Sequence, residues 1–305
     1  MSDEVETSEQ PQASERGTAT KWPGWLLLAA GALWLAAAPL NVSITPGATV
    51  PWTQASEYAI EWTAAGALFF CAGIASWRRN SLGAAIAVPT VVVMLAIVAY
   101  NFGPFTGKLL LPAGTVLAGA ALVIAGTAAA WNVVCSRSAR GLTRPGLLAS
   151  LVAIVPATAW SIAYGPSWSV TNYSVVGGRF SATGTDHLSI AHGALVGSGS
   201  YNLVTGALLL FVPLPLVAWS GLFRSATERM WAVLATGLMI LTDALDNLWG
   251  LGPTPRAQLR SWWGWAYHGQ INTVATPWFW TTLAAGVALC ATGLFLAAWA
   301  RALSE

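Results

Sequence analysis

From Leu82 to Phe102 the chain reads LGAAIAVPTVVVMLAIVAYNF, twenty-one residues without one formal charge. At about 1.5 Å of rise per residue such a run makes a helix of roughly 31 Å, the thickness of a bilayer's hydrocarbon core. Pro89, which would break a helix in water, is tolerated in a membrane helix whose neighbours re-satisfy the freed backbone groups. Comparable apolar runs occupy about 23–42, 58–77, 109–134, 146–164, 200–222, 230–250 and 278–300. None shows the strict alternation of a half-buried strand. The expected fold is therefore an all-α integral membrane protein, a bundle of about eight transmembrane helices.

Composition agrees. Only 9% of the 305 residues are charged and 55% are hydrophobic, against about 25% charged in an ordinary soluble domain. The net charge of +2 and the scattering of fourteen Lys and Arg residues leave no basic stripe for nucleic acid. Cys71, Cys135 and Cys290 show neither disulfide spacing nor a metal knuckle and read as small apolar fillers. Residues 1–21 hold five acids (Asp3, Glu4, Glu6, Glu9, Glu15) among Ser, Thr, Gln and Pro, and are expected to form a disordered cytoplasmic tail ahead of a polytopic domain at 22–305. The small residues Ala36-Ala37-Ala38 after the first run resemble a signal-peptide cleavage site, but the acidic leader and the run's full length favour a retained helix.

Orientation follows from the cations. Arg16, Lys21, Arg78, Arg79, Arg137, Arg140, Arg144, Arg224, Arg229 and Arg301 fall on one side of the runs, with Lys108, Arg179, Arg256 and Arg260 on the other. This asymmetry places both termini in the cytoplasm of a multi-pass cell-membrane protein. Tryptophans near the run ends, Trp62, Trp160 and Trp249 among them, read as interfacial anchors. The exoplasmic loops at 43–57, 165–199 and 251–277 are long, which marks them for function or for a partner. The last carries a dense aromatic cluster around Trp262, Trp263, Trp265 and Tyr267, expected to lie on the helix ends or to pack on a partner subunit or a second copy.

Ionisable groups inside a membrane are costly unless paired or wet, so each is a functional candidate. Three fall within the runs: Glu61, Asp243 and Asp246. The two aspartates, three residues apart, share a helix face, with Asn247 and Trp249 following. Two carboxylates so close would not both stay charged in a dry site, which points to a bound cation or a shared proton. The alternative is a clasp between helices. Glu61, nearer water, is expected to snorkel.

All three histidines, His187, His192 and His268, also lie on the exoplasmic side. Asp186, His187 and His192 offer a carboxylate and two imidazoles suited to copper or zinc, and Asp243, Asp246 or His268 could complete the ligand set across helices, so some of these six are the expected ligands. Hydrogen-bonded loop histidines are the bland alternative. No phosphate-cradling loop or zinc-protease helix motif occurs. Gly197-Ser198-Gly199-Ser200 reads as packing rather than as a nucleophile, and no histidine lies deep enough for haem between helices.

In layout the chain resembles the C subunit of the copper-dependent membrane monooxygenases, the family of particulate methane and ammonia monooxygenases. The resemblance rests on Glu61, Trp77-Arg78-Arg79-Asn80, Asp186-His187-x4-His192, Tyr201-Asn202-Leu203-Val204-Thr205-Gly206 and Asn247-Leu248-Trp249-Gly250. Of that family's ligand pattern only His192 falls near the place of a histidine, and the helix pair at 82–134 is additional. The resemblance implies a membrane subunit of an oxidising copper enzyme acting on small apolar substrates, with partner subunits. A cation- or proton-coupled transporter using Asp243 and Asp246, and a non-catalytic assembly subunit, are the competing expectations.

Overall fold

The computed structural model describes residues 21–45, 48–51, 59–101, 113–164, 169–177, 180–188, 211–246, 248, 251–253 and 267–302. Among the described residues eight helices and six strands follow in the order α1 (Trp22–Ala37), β1 (Asn41–Thr45), β2 (Ala48–Pro51), α2 (Ala59–Arg78), α3 (Asn80–Asn101), α4 (Ala113–Cys135), α5 (Arg144–Tyr164), β3 (Ser169–Gly177), β4 (Phe180–Leu188), α6 (Pro213–Ser220), α7 (Ala226–Asp246), β5 (Gly252–Pro253), β6 (Tyr267–Ala275) and α8 (Pro277–Ala302), with a short 3-10 turn at Arg137–Ala139. Stretches of five helices among the described residues are long and apolar enough to cross a membrane: Ile60–Arg78, Asn80–Ile97, Ala113–Cys135, Arg144–Tyr164 and Pro277–Leu296. The protein is a mostly helical, multi-pass membrane protein whose apolar helices contact lipid. Large apolar side chains such as Val123, Val155 and Phe295 face outward, while alanines such as Ala30, Ala72, Ala125 and Ala128 are buried. That arrangement suits a hydrocarbon solvent, in which association rests on close packing of small residues.

Glycines set the closest helix approaches. On α1, Gly24 and Gly31 are seven residues apart, as are Gly66 and Gly73 on the antiparallel α2. A Cβ on Gly24 would stand 2.8 Å from the Gly73 carbonyl oxygen, and one on Gly31 would stand 3.2 Å from that of Gly66. Gly146 of α5 and Gly221, just after α6, meet more tightly still, since a Cβ on Gly146 would lie 2.1 Å from the Gly221 oxygen. On α8, Gly286 and Gly293 admit Leu241 and Leu234 of α7. Two tryptophans close the other end of the α1–α2 pair. Trp34 Nε1 donates to the Trp62 carbonyl at 2.9 Å, Trp62 Nε1 donates to that of Trp34 at 3.0 Å, and the rings stack 3.9 Å apart. Trp62 and Trp160 are thus interior residues, not interfacial anchors. Trp249 lies outside the described residues, as do residues 1–20 of the tail and the aromatic stretch 261–266.

α7 is the central helix, packed against α2, α3, α5, α6 and α8. Its 21 residues include Glu228, Arg229, Asp243 and Asp246, and it is not among the five most apolar spans. A helix enclosed by protein does not need the apolar surface that lipid demands of the others.

The long loops depart from the all-α expectation. β3, β4, β5 and β6 form one antiparallel sheet in the order β4-β3-β6-β5, and β1 pairs with β2 in a separate hairpin. The segments Ser169–Gly177 and Tyr267–Ala275 are rich in Val, Thr, Ser and Tyr, which favour extended backbone. Gly178-Arg179 separates the paired Gly177 and Phe180, the two-residue spacing of a tight hairpin. Ser169, Leu188 and Ala275 form the row nearest the bundle, since α5 ends at Tyr164 and α8 begins at Pro277.

At the opposite end of the bundle the loops are tied by backbone. Gly141 N–H donates to the Leu222 carbonyl at 2.8 Å and Arg224 N–H to that of Ala139 at 3.1 Å. Arg140 donates to the Val133 carbonyl near the C-terminus of α4, where a cation meets the negative end of the helix dipole. Burial, and then neighbouring Arg137, pull the Arg140 pKa below its usual value.

Candidate polar sites at the two ends of the central helix

At the strand-bearing end, α7 presents Asp243 to α5. The Tyr164 hydroxyl donates to Asp243 Oδ2 at 3.3 Å, and the buried Tyr164 ring stacks on Trp160 at 5.0 Å. Asp243 is half-buried. The stacked ring has little freedom to turn away, so the phenol fixes the carboxylate on its own side of α7. Glu61 in the first turn of α2 is 2% exposed, so the expectation that it snorkels to water is corrected. A carboxylate in a first helical turn is favoured by the helix dipole.

The backbone places the remaining candidates on the sheet. Asp186 and His187 lie on β4, two and one residues respectively from its bundle-proximal end at Leu188. Asp186 pairs with Thr171, Thr171 with Thr273, and Thr273 with Gly252, six residues beyond Asp246. His187 pairs with Val170, whereas His268 of β6 pairs with Val176, six residues farther along β3. At about 3.3 Å per residue the two histidines stand roughly 20 Å apart along the strands, on strands separated by β3. Metal–nitrogen bonds of about 2 Å do not bridge that gap. On this backbone register His187 and His268 are too far apart to share one ion, so a metal bound by some of the six candidates would use one of these histidines and not both. The reason is topological: β6 enters the sheet at its far tip and reaches the bundle only at Ala275.

His192 and Asn247 lie outside the described residues, and the side chains of Asp186, His187, His268 and Asp246 do as well. Among the described residues no three His, Cys, Asp or Glu side chains come together. Of the six candidate ligands only Asp243 has a described side chain.

The other end holds a polar cluster that the apolar runs did not reveal. Glu228, in the first turn of α7, is 3% exposed and accepts a short hydrogen bond from Ser81 of α3. Arg229 is buried beside it and donates through one nitrogen to the carbonyls of Phe223 and Arg224 at 2.9 and 3.0 Å. Asn132 of α4 donates to Ser76 of α2 at 2.9 Å, beside Gly83, where a Cβ would collide with Ser76 Oγ. The signal for Glu228 lay in its position two residues before a run counted from 230. A helix starting at Ala226 carries it into the bundle.

Compared with family models, curated proteins and solved structures, the chain matches none.

Proposed function

We propose that the chain crosses the membrane eight times with both termini cytoplasmic. It holds one transition metal, copper or zinc, where the bundle-proximal end of the sheet meets the C-terminal end of α7. In this reading it is the membrane subunit of a monooxygenase-like complex acting on small apolar substrates. Eight spans follow if α1, α6 with its preceding apolar residues, and α7 join the five most apolar helices. The positive-inside rule then makes the sheet exoplasmic.

The observation that carries the metal reading is the fixed Asp243. Its carboxylate is held by Tyr164 five residues before β3, and β3 pairs at once with the strand end bearing Asp186 and His187. Asp243, Asp246, Asp186 and His187 are the proposed ligands, with His192 as a further donor. When bound, copper supplies the redox chemistry of oxygen insertion. The chain's own part is to hold the ion at one depth through the protein-enclosed α7 and to orient Asp243 through Tyr164. Elemental analysis of the purified protein tests this: about one copper or zinc per chain, lost in the Asp243→Asn, Asp246→Asn variant while membrane insertion persists. Absence of metal from the wild type would leave an assembly subunit as the better reading.

A second reading, cation- or proton-coupled transport, has its own support. α7 carries acids at both ends, Glu228 and Asp243, fifteen residues or about 22 Å apart. Ion flux in proteoliposomes that disappears in Asp243→Asn without any bound metal would favour it.

A further inference from the structure

A pocket of about 230 Å³ opens at the arginine-bearing end, lined by Arg78, Arg79, Leu82, Thr227 and Glu228. It is room for about eight waters at ~30 Å³ each. Arg79 is the single residue between α2 and α3, so the chain turns there and sets two consecutive guanidinium groups at an exposed rim. The first turns of α3 and α7 converge on the same spot, bringing Leu82 from one and Thr227 and Glu228 from the other. Helix N-termini and arginines favour an anion, and a bidentate guanidinium suits phosphate best.

Glu228 adds the opposite preference. It is 97% buried by its 3% exposure, and Oε1 is occupied by Ser81, while Oε2 has no hydrogen-bond partner among the described residues. A buried carboxylate oxygen without a donor is costly, and a cationic N–H donor is what offsets that cost most strongly. Arg229, the adjacent cation, is engaged with the Phe223 and Arg224 carbonyls.

We infer that this pocket binds a phosphoethanolamine group, the phosphate on Arg78 and Arg79 and the primary ammonium on Glu228 Oε2. The rim lies at the cytoplasmic interface of the proposed topology, where such a group is carried by a phospholipid headgroup or by a soluble compound. The site is separate from the proposed metal centre, which lies at the other end of α7.

The test uses the full chain in detergent and counts bound lipid by native mass spectrometry. The titrants are phosphatidylethanolamine and its N-methyl, N,N-dimethyl and N,N,N-trimethyl forms with the same acyl chains. Affinity in the wild type falls stepwise as N–H donors are replaced, by about tenfold across the series. Glu228→Gln flattens the series, and Arg78→Gln with Arg79→Gln weakens every member. Displacement of the lipid by soluble phosphoethanolamine identifies a free compound as the natural source, and resistance to it identifies the membrane lipid. A flat series in the wild type overturns the inference without recourse to any variant, and so does a stepped series that survives in well-folded Glu228→Gln.

Discussion

Replacing Gly146 by alanine adds a single methyl group, and the structure leaves it nowhere to go. The new Cβ would sit 2.1 Å from the carbonyl oxygen of Gly221 and 2.9 Å from Thr143 Oγ1. Ordinary carbon–oxygen contact begins more than an ångström farther out than the first of these, and the obstacle is backbone, so no rotamer change relieves it. α5 and α6 must separate. Separation breaks the Ser150 Oγ to Val217 carbonyl hydrogen bond, now 3.2 Å, and loosens the Gly141–Leu222 backbone bond nearby. Overpacking of a tight contact costs about 1–3 kcal/mol, and the lost hydrogen bond about 1 more. Alanine's helix propensity returns at most ~1 kcal/mol, and less in the first turn of α5. The net expectation is a loss of about 2–3 kcal/mol. Gly119 on α4 is the control, because a Cβ there meets nothing within 4 Å. Gly119→Ala should be neutral or stabilising by up to ~1 kcal/mol. Denaturant titration in mixed micelles, read by tryptophan fluorescence, measures both. Equal stability of the two variants would refute the proposed α5–α6 approach.

Other predictions address the topology and the polar contacts. Cysteines introduced at Gly184 and Gln258 should react with an impermeant thiol reagent on intact cells, and one at Ser138 should not; the reverse pattern would invert the orientation. Asn132→Ala leaves Ser76 Oγ without its donor in a buried site and should cost about 1–3 kcal/mol in the same unfolding assay. Tyr164→Phe keeps the ring stack but removes the hydroxyl from Asp243, so metal affinity should fall while stability changes little. Imidazole ligates only when neutral, so protonation competes with metal. Retention should be full above the free histidine pKa and weaken as pH falls below about 6, as equilibrium dialysis would show.

The helices were readable because a bilayer forces long uncharged runs, and all eight runs contain or overlap a helix. Asp243 was readable for the same reason, since an acid in an apolar run needs an explanation. The sheet was not read, although Ser169–Gly177 and the glycines at 177 and 178 carry a hairpin pattern. Outside the membrane, length and aromatic content dominated the reading of the loops. Pairing β3 with β6 joins segments roughly a hundred residues apart, and the registers of β3 with β4 and with β6 decide the distance between His187 and His268. Glu228 escaped notice, and Arg229 was read only as a cytoplasmic cation, because hydropathy marks where apolar residues begin rather than where a helix does. Burial of Trp62 and Trp160 also depends on partners: Trp62 stacks on Trp34 and Trp160 on Tyr164, and an interfacial tryptophan has the same local sequence.

The central claim, a metal held at the junction of the sheet with α7, is tested most directly by comparing His187→Ala with His268→Ala in one titration. Each purified variant is loaded with copper(II) or zinc, dialysed against a graded competitor, and analysed for metal per chain. The account predicts at least a tenfold loss of affinity in His187→Ala and an affinity within about twofold of wild type in His268→Ala. Equal losses in both variants, or a loss confined to His268→Ala, would contradict it.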